Sequence, residues 1–213
     1  MVDGQRVDWL VDLNWTSPTE FTALAAEYGA NIHCKGCTTF DSIFTGVAVL
    51  HGSIGASGAS LTLVPGTDGA SNYSNADGGA SIVFSRHADP HLYKLPAVGG
   101  IANAIAAVGS DSLLGVSCQG STCVVAEDPV TLIPVTALVA FVGTTVNPGK
   151  LWSVSLVTGA TNVVRSDPSA VLATPLLSPS GHDVVAQRGG LLGHLRTDSS
   201  PSADLHLFPG LIP

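Results

Sequence analysis

Ala170 to Gly190, AVLATPLLSPSGHDVVAQRGG, is an apolar run, a Ser-Pro-Ser-Gly turn, a second apolar run and a pair of glycines. Both runs are rich in Val, Leu and Ala with few polar breaks, which predicts two strands of a sheet covered on both faces. Pro179 and Gly181 supply the turn chemistry between them. A second copy lies near the N-terminus. Asn14 to Ala25, NWTSPTEFTALA, aligns without gaps on Pro175 to Ala186, with Ser17-Pro18 on Ser178-Pro179 and Ala25 on Ala186. Such repetition predicts a fold assembled from like hairpin units.

Outward from these hairpins, the first unit has strand candidates at 7–15 and 21–28, a polar insert at 29–41, then strands at 43–50 and 59–64. The pattern restarts with 69–75, the turn Asp77-Gly78-Gly79, 80–85, a loop at 86–90 and 91–95, with a fourth strand short or absent. A third unit takes 101–108, the turn Gly109-Ser110-Asp111, 113–118, 122–127 and 131–135. A less regular fourth has 137–143, 150–157 and 161–165, and the fifth is the opening stretch followed by 204–208. Five units over 213 residues average about 43 each, within the ~40–45 residues of a four-stranded propeller blade. The expected fold is therefore all-β, a β-propeller of about five four-stranded antiparallel blades, with four as the alternative count. It forms one domain over 1–213, with blades near 7–68, 69–100, 101–135, 136–169 and 170–213. The last unit lacks an outer strand in this reading. Either Met1 to Arg6 supplies it or the open edge pairs with another chain, so a homo-oligomer is expected.

The strands HLYKLPAVGG (91–100), LWSVSLVTGA (151–160) and DLHLFPG (204–210), taken with the SPSG and NADGG turns, resemble the WD40-like repeat of TolB-type β-propellers. The family pattern is a Ser-Pro-Asp-Gly turn, an aliphatic strand, and an Ile/Leu-Tyr-x-Val strand ending in Gly. Matching positions are Ser178, Pro179 and Gly181, then Leu92-Tyr93 and Leu151-Trp152. The resemblance covers about two-thirds of the chain and departs from the family in blade count, which is usually six or more. It implies a non-enzymatic propeller that binds a protein or small ligand over one face.

Composition excludes other classes. The chain is 45% hydrophobic and 11% charged, enough for a sizeable core. Its net charge of -8 and lack of any Lys or Arg run leave no electrostatic footprint for nucleic acid. No apolar stretch reaches the ~18 residues of a membrane span. The N-terminal MVDGQRVDWLVDL lacks a basic start, an apolar core and a small-residue cleavage site, so no signal peptide is read there. G-x-S-x-G, G-x-x-x-x-G-K-[ST] and H-E-x-x-H are all absent.

The chemistry-bearing residues gather in expected loops between second and third strands. These are His33-Cys34-Lys35-Gly36-Cys37, His87-Ala88-Asp89-Pro90-His91, and 190–201 with His194. On a propeller such loops share one face, where His87, Asp89 and His91, completed by His33 or His194, form a candidate site for a divalent metal such as zinc. That reading makes the chain a metal-dependent hydrolase, a phosphoesterase or esterase, as the alternative function. The plainer reading of HADPH is a polar turn. Cys34 and Cys37 offer a thiolate pair or a local disulfide. Cys118 and Cys123, in GVSCQGSTCVVAE, sit on facing strand ends where a disulfide fits. Pairing 34 with 37 and 118 with 123 is the economical choice among three connectivities, and it implies an extracytoplasmic location. Trp9, Trp15 and Trp152 are read as core or blade-packing residues rather than sugar platforms, and Asp8 and Asp12 as exposed on one strand face.

Overall fold

A computed structural model of the chain describes residues 2–3, 7–32, 40–86, 89–109, 113–127, 130–133, 143–146, 149–168, 170–188, 191–198 and 206–207. Among them are β-strands and one short 3-10 turn but no α-helix, and no helix is long and apolar enough to cross a membrane. The first sheet runs β1 (Trp9–Trp15), β2 (Glu20–Ile32), β3 (Phe40–Gly55), β4 (Gly58–Leu63) in spatial order. The second runs β5 (Ala70–Ala76), β6 (Ser81–Arg86), β7 (His91–Pro96), β8 (Asn103–Ala107). The third pairs β9 (Leu113–Gln119), β10 (Thr122–Glu127), β13 (Gly149–Ser155) and β14 (Thr161–Asp167), with a ribbon of β11 (Val130–Ile133) and β12 (Gly143–Val146) inserted at its middle turn. The fourth runs β15 (Leu172–Leu177), β16 (Asp183–Arg188), β17 (Leu191–Arg196), β18 (His206–Leu207). Every pairing is antiparallel.

Strand alternation explains why the sheets stack as blades. On β6, Ile82 and Phe84 point into a core shared with Leu24 and Val49 of the first blade, while Val83 between them points into the core shared with Val116, Cys123 and Val125 of the third. On β10 the same switch recurs. Cys123 and Val125 face the second blade, whereas Val124 and Ala126 pack with Leu172, Val184, Ala186 and Leu195 of the fourth. A central strand buried on both sides therefore reads as a nearly uninterrupted apolar run, as in the IVF of β6 and the CVVA of β10. Blades three and four approach closely at Gly115, where a β-carbon would stand 2.8 Å from Pro175 Cδ.

The blade count is four, the smaller of the two numbers read from the turns. The stretch at 101–108 forms the fourth strand of the second blade instead of opening a third unit, because Leu92 and Ala106 pair across β7 and β8. Strands read in two separate units, 122–127 and 150–157, lie side by side in one blade, with Thr122 opposite Ser155 and Glu127 opposite Lys150. The last blade also differs from expectation. Residues 191–196, read as part of a polar loop, are its third strand, so 206–207 become its fourth and no outer strand is missing. Nor does the N-terminal stretch serve that blade at Asp3, whose Oδ2 accepts a hydrogen bond from Leu63 N on the outer strand of the first blade (2.8 Å).

Candidate functional site: the axial cavity

The innermost strand of each blade contributes to one cavity of ≈ 370 Å³. Asp12 and Asn14 come from β1, Asn72, Tyr73 and Ser74 from β5, Leu114 to Ser117 from β9, and Thr174 to Leu176 from β15. Two of these strands are bulged at the cavity wall. Pairing shifts between Val11 and Asn14 and again between Ala173 and Leu176, and the extra residues Asp12 (φ 51) and Thr174 (φ 48) adopt the left-handed conformation. Non-glycine residues rarely do so, and bulges of this kind re-aim side chains beside sites.

The wall is polar and largely ordered by its own hydrogen bonds. Tyr73 OH donates to the Asp12 carbonyl and lies 3.2 Å from Thr22 Oγ1, and Asn14 Nδ2 donates to Tyr73 Oη (3.0 Å) and to the Asp12 carbonyl (3.0 Å). Asn72 Nδ2 reaches across to Leu113 O (2.8 Å). Burial holds the Asp12 carboxyl above the usual carboxylate range. Burial also raises the Tyr73 phenol, and the nearby Asp12 charge adds to it, against hydrogen bonds from Thr22 and Asn14. The cavity thus offers one carboxylate, amides and hydroxyls beside the apolar edges of Leu114, Pro175 and Leu176. That mixture suits a small ligand carrying hydroxyl or amine groups.

The residues singled out by their chemistry lie elsewhere. Asp89 and His91 are together, and their polar atoms serve one another: His91 Nδ1 is 2.8 Å and His91 N 2.9 Å from Asp89 Oδ1, and Tyr93 OH donates to Asp89 Oδ2 (2.7 Å). Burial acts to raise the Asp89 carboxyl, but the hydrogen bonds from Tyr93 and His91 outweigh it and hold the group low. His194 is within a strand, not a loop. It pairs with Val185, and its Nε2 is 3.0 Å from Asp183 Oδ1 near the β15–β16 turn, whereas His91 begins β7 just after the middle turn of its blade. The two histidines therefore belong to different ends of their blades. His33, Cys34, Cys37 and His87 lie outside the described residues, and among the described residues no three His, Cys, Asp or Glu gather as a metal cluster.

Cys118 and Cys123 are disulfide-bonded, directly opposite on β9 and β10 with Cα atoms 4.0 Å apart. Such a bond is compatible with an oxidising compartment. The tryptophans divide. Trp152 is half-buried and donates to Glu127 Oε2 (2.8 Å), but Trp9 and Trp15 are each 57% exposed. They lie on β1, which pairs with one strand only, so burial expected from blade stacking does not reach them.

No protein-family profile matches the sequence, and no curated protein does. Solved structures do. TolB from Agrobacterium tumefaciens is similar at 12% identity and a TM-score of 0.62, over 93% of this chain and 61% of that one. A chain of the nidogen/laminin complex is similar at 9% identity and a TM-score of 0.57, over 91% and 76%. An oligogalacturonate lyase in complex with manganese gives 14% identity and a TM-score of 0.52, over 97% and 61%. The chain spans about three-fifths of the TolB and lyase chains. At these identities the likeness is one of fold. The chain is a four-bladed β-propeller, similar in architecture to TolB and to a chain of the nidogen/laminin complex.

Proposed function

We propose that this propeller is a non-enzymatic binding module whose ligand, a protein segment or small molecule with hydroxyl or amine groups, is held at the axial cavity. The observation that carries the reading is the convergence of all four innermost strands on one polar wall, two of them distorted there by left-handed bulge residues. Backbone distortion at a cavity is costly to the fold and is the usual mark of a site. The disulfide supports an extracytoplasmic setting.

Thermal-shift measurements against sugars, amino acids, polyamines and short peptides test the reading. One class is expected to raise the melting temperature, and Leu176→Trp, which narrows the cavity at a residue 62% exposed, is expected to remove that response. Stabilisation by zinc or manganese alone, lost in His91→Ala, would instead favour the metal-dependent hydrolase.

A further inference from the structure

Beyond the axial cavity, at the end of the barrel-like stack where the tight turns lie, a second cavity of ≈ 350 Å³ is lined by Trp15, Thr16, Asn75, Gln119 and the turn glycines. We infer that this groove is a carbohydrate site, in which the face of a neutral pyranose ring stacks on the Trp15 indole and its hydroxyls meet the Asn75 and Gln119 amides.

Four observations carry this. Trp15 presents its ring to solvent, 57% exposed. The ring is also fixed. Its edge meets Phe21 at 5.5 Å and 65°, and Phe21 is itself anchored, being 6% exposed and lying over Gly52, where a β-carbon would fall 2.2 Å from Cζ. A rigid aromatic plane loses little entropy on binding. The polar partner is positioned as well: Asn75 Nδ2 donates to Thr22 Oγ1 (3.0 Å), leaving the amide oriented by a residue that is 3% exposed. Finally, the groove is open because Gly78, Gly79 and Gly120 line it. A β-carbon at any of them would meet nothing within 4 Å, and each has positive φ (66, 93 and 56), so the turns that require glycine are the ones that leave room.

The groove continues. A neighbouring cavity of ≈ 390 Å³ shares Thr16, Asn75 and Gly79 with it and adds Glu20, His51 and Thr62, a carboxylate, an imidazole and a hydroxyl suited to a second ring. Among these lining residues there is no Lys or Arg, so an anionic sugar has no counter-charge while Glu20 opposes it. A neutral oligosaccharide is the class that fits. The amides donate to and accept from vicinal hydroxyls, the carboxylate accepts from them, and the indole takes the apolar C–H face.

The test is titration calorimetry and tryptophan fluorescence with neutral gluco-, xylo-, manno- and chito-oligosaccharides of two to four rings. At least one series is expected to bind, with Trp15→Ala weakening it tenfold or more, Trp15→Phe retaining part of the affinity, and Trp9→Ala, equally exposed but outside the groove, leaving it unchanged. Circular dichroism of each variant shows that the fold is kept. Absence of binding by every series at millimolar concentration overturns the inference, as does binding that survives Trp15→Ala or binding only of uronate or amine probes. None of those failures touches the axial cavity, whose ligand is read out through Leu176→Trp.

Discussion

Asp12 shows at the scale of one residue how a bulge can set an exposed carboxylate at the cavity wall. In the alternation of β1 it reads as exposed on one strand face with Asp8, and it is exposed in the structure, but the bulge between Val11 and Asn14 places it at the cavity, where partial desolvation disfavours its charge. A carboxyl raised in the folded state favours folding while it is protonated, below its ordinary value of about 3.9, and that contribution is lost as pH rises through the folded value. At neutral pH the ionised group therefore works against the fold. Asp12→Asn keeps a residue tolerant of the left-handed conformation and removes the charge. Its melting temperature is expected to exceed that of the parent at pH 7 and to converge with it near pH 3; equal values at both would show the carboxyl to be fully solvated. Asp89 shows the converse. Its sequence setting, HADPH, is that of a ligand, but Tyr93 and His91 occupy both oxygens in a local clasp that no spacing rule reveals.

Among the elements, the hairpins with explicit turn chemistry were legible and the rest were not. SPSG and DGG fixed β15–β16 and β5–β6, because their glycines are needed at positive φ. The segment β8, NAIAA, has no alternation to say which sheet it joins, and only its pairing with β7 assigns it to the second blade. The ribbon β11–β12 separates β10 from β13 along the chain and so split one blade into two apparent units. What stitches neighbouring blades together was equally hidden. Ser74 and Ser117 occupy the same place, third from the end of β5 and β9, and each hydroxyl accepts a backbone N–H from the next blade, Cys118 N and Leu177 N, both at 2.9 Å. Removing either hydroxyl strands a donor in the interface. Ser74→Ala and Ser117→Ala are each expected to cost about 1–3 kcal/mol in denaturant unfolding, and a loss below about 0.5 kcal/mol, the level of a surface change, would show the clasp to be dispensable.

For the whole molecule, three shared cores join four blades in series, and among the described residues none joins the last blade to the first. The outward face of the last blade carries Leu192, 42% exposed, beside the His194–Asp183 pair. Sedimentation at micromolar concentration is expected to show a species heavier than the 21.5 kDa chain, reduced towards the monomer by Leu192→Asp; a parent that sediments as a monomer would show that this face needs no second copy.

The central claim, that ligand is held where the innermost strands converge, is tested most directly by mapping amide chemical shifts in the 15N-labelled chain during titration with whichever probe class raises its melting temperature. The account predicts perturbations concentrated at residues 12–14, 72–74, 114–117 and 174–176. Perturbations centred instead on Asp89 and His91, with the inner strands unmoved, would contradict it.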